Sequence, residues 1–203
     1  MLMVTILKIL LTTSLRPTRR VRTFVKDLHH VIPGTYLITR GKSNFPELLT
    51  LAVSNGITKI LVVSTWKGNP GRILLYKFTE EKEFVQVSPI IYIKGVTLTR
   101  ELKNYVNKRR MLEDVGYFYK SENTPPEIHN LINEFLRFLD LPPAKNLYDE
   151  SFEGILYLKQ IKNNLYQIYV VQPGDENISL GPIIKGVFMS VPEHVRSKSE
   201  SRN

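Results

Sequence analysis

Guanidinium groups carry the chemistry that stands out in this chain. The run Ser14–Leu15–Arg16–Pro17–Thr18–Arg19–Arg20–Val21–Arg22 holds four arginines, and Lys26 follows one helical turn later. A guanidinium presents a planar fork of donors that matches the oxygens of a phosphate. At 100° per residue, Val21, Phe24, Val25 and Leu28 share one stripe, while Arg19, Arg22, Thr23, Lys26 and His30 fall on the opposite side. The spacing predicts an amphipathic helix over 17–31, with Pro17 in its first turn. Arg16, Arg19 and Arg20 then crowd the N-terminal end, where the helix dipole disfavours each cation by roughly 0.3–1 kcal/mol. A bound phosphate removes that conflict, because it pairs with the arginines and with the free backbone N–H groups of the helix end. The competing reading is a solvated charged face, which explains the amphipathicity but not the crowding. We therefore expect RNA on this face.

Two further segments bear on the same surface. Arg40–Gly41–Lys42–Ser43 lies between a predicted strand and a predicted helix, the setting of a phosphate-cradling loop, but the earlier glycine such a loop needs falls at Tyr36. The segment is either an ordinary turn, with Gly41 at an unusual backbone angle and Ser43 or Asn44 capping the helix, or an extension of the positive face through Arg40 and Lys42. Trp66–Lys67–Gly68–Asn69–Pro70–Gly71–Arg72 places the only tryptophan beside two cations, with the turn at Gly68–Gly71. Such a tryptophan more often covers the end of a sheet; the alternative is stacking on an unpaired base, worth on the order of 1–3 kcal/mol. The expected RNA contacts are Arg16, Arg19, Arg20, Arg22, Lys26, Arg40, Lys42, Lys67 and Arg72.

Catalysis finds no comparable pattern. His29, His30, His129 and His194 come without a second ligand at metal spacing, and there is no Gly-x-Ser-x-Gly elbow. The absence of cysteine removes thiol nucleophiles, thiolate metal sites and disulfides. Glu80, Glu81 and Glu83 read as a solvated turn, and Lys108–Arg109–Arg110 as a solvated cluster. The expectation is a protein that is not an enzyme and uses no cofactor or metal.

These residues need a scaffold, and the chain has the material for one: 203 residues, 42% of them hydrophobic. The apolar opening, Met1 to Leu11, lacks a basic flank and a cleavage site and carries Lys8, so it reads as a buried strand rather than a targeting or membrane segment. The absence of cysteine agrees with an intracellular protein, and the expected location is the cytoplasm. Predicted strands 3–12, 35–39, 59–65, 72–78, 83–87 and 89–96 accompany helices 17–31 and 44–55. The second half offers a basic helix at 99–110, a strand at 116–120, a helix at 125–139, and strands at 154–160, 165–172 and 182–190. Gly71–Lys77 resembles Gly154–Lys159, and Pro89–Val96 resembles Pro182–Val187, which suggests an internal duplication. The expected fold is α/β: two tandem halves with mixed sheets, about 1–97 and about 98–195, packed as one domain before a flexible tail at 196–203. Residues 1–100 hold 15 Lys+Arg against 5 Asp+Glu, and residues 101–203 hold 13 against 14, so the first half is basic and the second near-neutral.

The segment Thr12–Leu28, then Ile32–Pro33, Ile38–Thr39–Arg40–Gly41–Lys42, Lys59–Val63 and Gly68–Gly71, resembles the Brix domain family of ribosome-biogenesis proteins. The likeness covers roughly residues 4–190, is most specific in the first 45, and is closest to the archaeal type and to the small-subunit rRNA-processing branch. It implies a fold similar to the anticodon-binding domain of class II aminoacyl-tRNA synthetases, with precursor rRNA as partner, other ribosome-assembly proteins as further partners, and no catalysis. By position it implies RNA contacts at Arg16, Arg19, Arg20, Arg22, Lys26, Arg40 and Lys42. The chain departs from the family where a Gly-Pro-Arg is common: Gly181–Pro182 is followed by Ile183.

Overall fold

In the computed structural model, which describes residues 8–40, 44–80, 83–103, 111–120 and 124–192, strand pairing joins both halves into one curled mixed sheet. The first half supplies β1 (Ile9–Thr13), α1 (Arg19–Val31), β2 (Thr35–Leu37), α2 (Phe45–Ser54), β3 (Lys59–Trp66), β4 (Asn69–Phe78) and β5 (Phe84–Thr97). The second supplies β6 (Val115–Tyr119), α3 (Pro126–Leu139), β7 (Gly154–Lys162), β8 (Leu165–Gln172), β9 (Asp175–Ser179) and β10 (Ile183–Met189). The strand order is β2-β1-β3-β4-β5-β10-β8-β7-β6, with β9 paired to β8 off that path. β1 runs parallel to β2 and β3, β6 runs parallel to β7, and the other pairs are antiparallel.

Period-two alternation decides which face each side chain takes. Leu11, Leu61, Val63, Ile73, Leu75 and Ile91 point to the face that α1 covers, through Val21, Phe24, Val25, Leu28 and Val31. The same core runs on under α3, through Leu158, Ile168, Ile184 and Phe188 against Phe135 and Leu136. Each such buried side chain contributes about 1.5–3 kcal/mol. The alternate residues Leu10, Ile60 and Val62 face the other way and pack with Ala52 of α2. At the far end of that second face, Ile155, Tyr157, Tyr169 and Val171 lie under Leu147 and Phe152.

Several predicted boundaries move, each for a local reason. Helix α1 starts at Arg19 because Thr18 takes extended angles (φ −68, ψ 165) and caps it, so Pro17 precedes the cap instead of opening the helix. The predicted strands 83–87 and 89–96 are one strand: Pro89 sits where the β4–β5 register shifts, so its missing N–H breaks no regular ladder. The turn after β3 is the pair Lys67–Gly68, both at positive φ (46 and 79), and Asn69–Gly71 already belong to β4. β9 has no apolar alternation in its sequence and was not predicted. Of the predicted basic helix at 99–110, Thr99–Glu101 form a 3-10 turn, and 104–110 lie outside the described residues, as do 3–7 of the first predicted strand and the predicted tail at 196–203. Outward from the β5–β10 junction, Pro89–Val96 and Pro182–Val187 hold matching places, but Gly71–Lys77 is on β4 and Gly154–Lys159 on β7, which do not match.

Candidate nucleic-acid interface

The geometry at the start of α1 follows from one threonine. Thr18 Oγ1 accepts the Val21 N–H at 3.3 Å and donates its own proton to the Gly68 carbonyl at 2.7 Å. The second bond ties the β3–β4 hairpin, which carries Trp66 and Lys67, to the helix end that Arg16 and Arg19 flank in sequence. Trp66 is 68% exposed, so it does not seal the sheet, and Lys67 Nζ stands 6.0 Å from the centre of its ring. Arg16 (φ 51) and Lys67 (φ 46) both occupy the left-handed region, at about 1–2 kcal/mol each for a residue with a Cβ. Two strained cations flanking one helix end mark a place where position matters more than local stability.

Arg19, Arg22 and Lys26 are exposed along α1, and the first turn has no acidic residue. Among the described residues, Arg19 and Lys26 have no acidic partner; Arg22 Nη1 donates to the Pro17 carbonyl at 3.0 Å, which holds the guanidinium against the helix start. This is a set of donors around free N–H groups at a helix end, an arrangement suited to phosphate.

Other expected contacts stand elsewhere. Arg20 forks onto Glu101, with Nη2 2.9 Å from Oε2 and also donating to the Val96 carbonyl at 3.0 Å. This pairing raises the pKa of the arginine and holds the Glu101 carboxyl below its usual range. Arg20 thus fastens α1 to the segment that joins the halves, helped by Asp27, which accepts the Thr99 N–H at 3.0 Å. Arg40 is buried: its guanidinium lies 5.7 Å from the Phe45 ring centre and donates to the Thr13 carbonyl. Asn44 and Glu47 form a capping box that uses the N-terminal donors of α2, and Lys42 lies outside the described residues. Arg72 is exposed, but on the face away from α1, 5.9 Å from the Tyr92 ring centre. Gly181, in the departing Gly-Pro segment, packs against α1: a Cβ there would stand 2.7 Å from Val31 Cγ1.

His29, at the other end of α1, also takes a structural role. Thr35 Oγ1 donates to the Ile32 carbonyl, so the 2.8 Å bond to His29 Nδ1 uses the ring's proton. Burial, and secondarily His30, lower the His29 pKa. Thr18 was missed among the candidate residues, although a threonine just before an apolar-periodic run is a helix-start signal. The Arg20–Glu101 pair spans the two halves and left no sequence signal. Among the described residues no cluster of His, Asp or Glu is placed to hold a metal, and no helix is long and apolar enough to cross a membrane.

No family model matches the chain. It is 42% identical over 100 residues to a probable Brix domain-containing ribosomal biogenesis protein of Pyrococcus horikoshii, covering 46% of this chain and 41% of that one. The match thus spans about two fifths of that relative's length. A protein of the same description from Sulfurisphaera tokodaii is 31% identical over 127 residues, covering 56% of this chain and 70% of that one. Among solved structures, a probable ribosomal biogenesis protein from Aeropyrum pernix superposes with a TM-score of 0.71 at 25% identity, covering 89% of this chain and 95% of that one.

Proposed function

The chain belongs to the family of Brix domain-containing ribosomal biogenesis proteins, and from that premise we propose that it is a ribosome-biogenesis factor that binds precursor rRNA and assists its processing or assembly without catalysis of its own. The observation that carries this reading is α1 itself, with Arg19, Arg22 and Lys26 exposed along it and its N-terminal end tied by the Thr18–Gly68 bond to a hairpin bearing an exposed Trp66. Arg16, Arg19, Arg22, Lys26 and Lys67 hold phosphates and displace counterions; Lys42 joins them on sequence grounds. Trp66 offers a face to an unpaired base. Phosphate contacts position the protein and carry little sequence information, so specificity comes from RNA shape and unpaired bases. Arg20 acts as a positioning residue.

The finer architectural readings belong here too. We read residues 1–195 as one domain of two duplicated halves, similar to the anticodon-binding domain of class II aminoacyl-tRNA synthetases. Support comes from the matching strand orders outward from β5 and β10 and from a core drawn from both halves. The protein works in the cytoplasm of an archaeal cell, alongside other assembly proteins.

The test is affinity for fragments of precursor rRNA, against tRNA and duplex DNA, across a salt series. The expected result is a slope near −0.7 per neutralised phosphate, with one rRNA fragment preferred at high salt. Equal binding of all polyanions that vanishes at physiological salt overturns the reading. A second reading, a protein–protein adaptor in a pre-ribosomal particle, draws on an apolar groove of ≈ 570 Å³ at α2, lined by Leu49, Val53, Phe78 and Phe84. RNA-independent capture of a defined assembly protein favours it.

A further inference from the structure

Among the described residues, the face of the sheet opposite α1 and α3 is covered only at its ends, by α2 and by the segment before β7. Between those covers, register places basic side chains in a row. Lys185 of β10 stands opposite Gly95 of β5 on one side and Gln167 of β8 on the other, and Gln167 stands opposite Lys159 of β7. A β-bulge leaves Lys94 as the extra residue beside Gly95, which sets it against Lys185. Lys94, Lys185 and Lys159 are all exposed, and among the described residues none has an acidic partner. At about 4.8 Å per strand, the row from β7 to β5 spans about 14 Å. One register step away, Arg72 of β4 faces Tyr92 of β5, its guanidinium over the ring, and Tyr92 faces Val187. At the other end, Lys159 lines a cleft of ≈ 680 Å³ with Lys162 and Asn163.

Like charges on neighbouring strands repel. Lys94 and Lys185 are held together by the bulge, so this face is arranged for a polyanion. An aromatic ring with a guanidinium over it, next to a line of ammonium groups, suits a strand with bases to stack and phosphates to pair. We propose that this face is a second binding surface for single-stranded RNA: Lys94, Lys159 and Lys185 pair with its phosphates, and Arg72 and Tyr92 hold a base. It lies on the opposite face of the sheet from α1, so one molecule holds two RNA segments at once. The two-segment role rests on the α1 reading; the sheet surface does not.

The experiment titrates the full chain with a fluorescein-labelled oligouridylate, followed by anisotropy and by the intrinsic fluorescence of Trp66, which reports on the α1 end. Circular dichroism checks each variant for folding, and Lys94→Gln/Lys159→Gln/Lys185→Gln serves as the milder partner of the Glu triple variant. The wild type is expected to bind two oligonucleotides. Lys94→Glu/Lys159→Glu/Lys185→Glu is expected to bind one, at least about tenfold more weakly at the sheet face, with the Trp66 response intact. Arg19→Glu/Arg22→Glu/Lys26→Glu is expected to bind one without a Trp66 response. Unchanged stoichiometry and affinity in the folded sheet variants overturns the proposal, and so does displacement of RNA from that face by poly-glutamate at equal charge, which makes it an acidic-peptide site. Binding that survives the helix variant but not the sheet variant overturns the α1 reading instead.

Discussion

At the scale of single residues, adjacent arginines take different work from their surroundings. Arg20 has a carboxylate and a carbonyl to satisfy it, whereas Arg19 faces solvent. Arg20→Ala should lower stability by about 1 kcal/mol, a modest figure because the pair is partly exposed. Arg19→Ala and Arg22→Ala should leave stability within about 0.5 kcal/mol and weaken RNA binding. Denaturant unfolding beside a binding titration separates these roles. His29 gives a pH dependence with a definite sign. Its folded-state pKa is lowered by burial, so the unfolded chain binds the proton more readily. Its contribution to stability is complete above the unfolded value of about 6.5 and declines as the pH falls below it. Melting temperature measured from pH 8 downwards should fall less steeply through that window in His29→Gln. Glu101 adds a loss at more acidic pH, since its carboxyl is held below its usual range by Arg20 and the Leu98 N–H.

At the scale of elements, the β3–β4 hairpin carries a conflict between stability and function. Lys67–Gly68 is a two-residue turn with both φ values positive, a setting that favours Asn-Gly. Lys67→Asn should raise stability by about 0.5–1 kcal/mol and reduce the salt slope of RNA binding by about 0.7, read from melting curves and the salt series. Gly71 and Gly181 are among the glycines needed for close approach. A Cβ on Gly71 would stand 2.5 Å from Trp66 Cβ, and one on Gly181 2.7 Å from the stiff Val31 side chain. Either alanine substitution should cost about 1–3 kcal/mol. Gly71→Ala should also shift the Trp66 emission, because the tryptophan backbone has to move.

At the scale of the molecule, the halves are joined three ways: by the β5–β10 ladder, by the core shared under α1 and α3, and by cross-half polar ties. Arg20 reaches Glu101, and Lys59 Nζ donates to the Phe138 carbonyl at 3.0 Å and pairs with Asp140, at the C-terminus of α3, where the helix dipole favours a cation. Heat unfolding followed by Trp66, which lies in the first half, and by near-ultraviolet tyrosine signals, mostly from the second, should therefore show one coincident transition. Two separated transitions would overturn the single-domain reading.

Periodicity in the sequence was enough to determine the apolar stripe of α1, the exposed stripe of Arg19, Arg22 and Lys26, and most strands, because alternation is a local consequence of backbone geometry. It also indicated where charge concentrates. Tertiary structure alone decided which cations are free. Arg20 and Arg40 look like their neighbours in the chain, but partners distant in sequence, Glu101, Val96 and Thr13, claim their donors. Tertiary structure also decided that Lys94, Lys185 and Lys159 share a row, since strand register is set by pairing across the two halves and no window of sequence contains it.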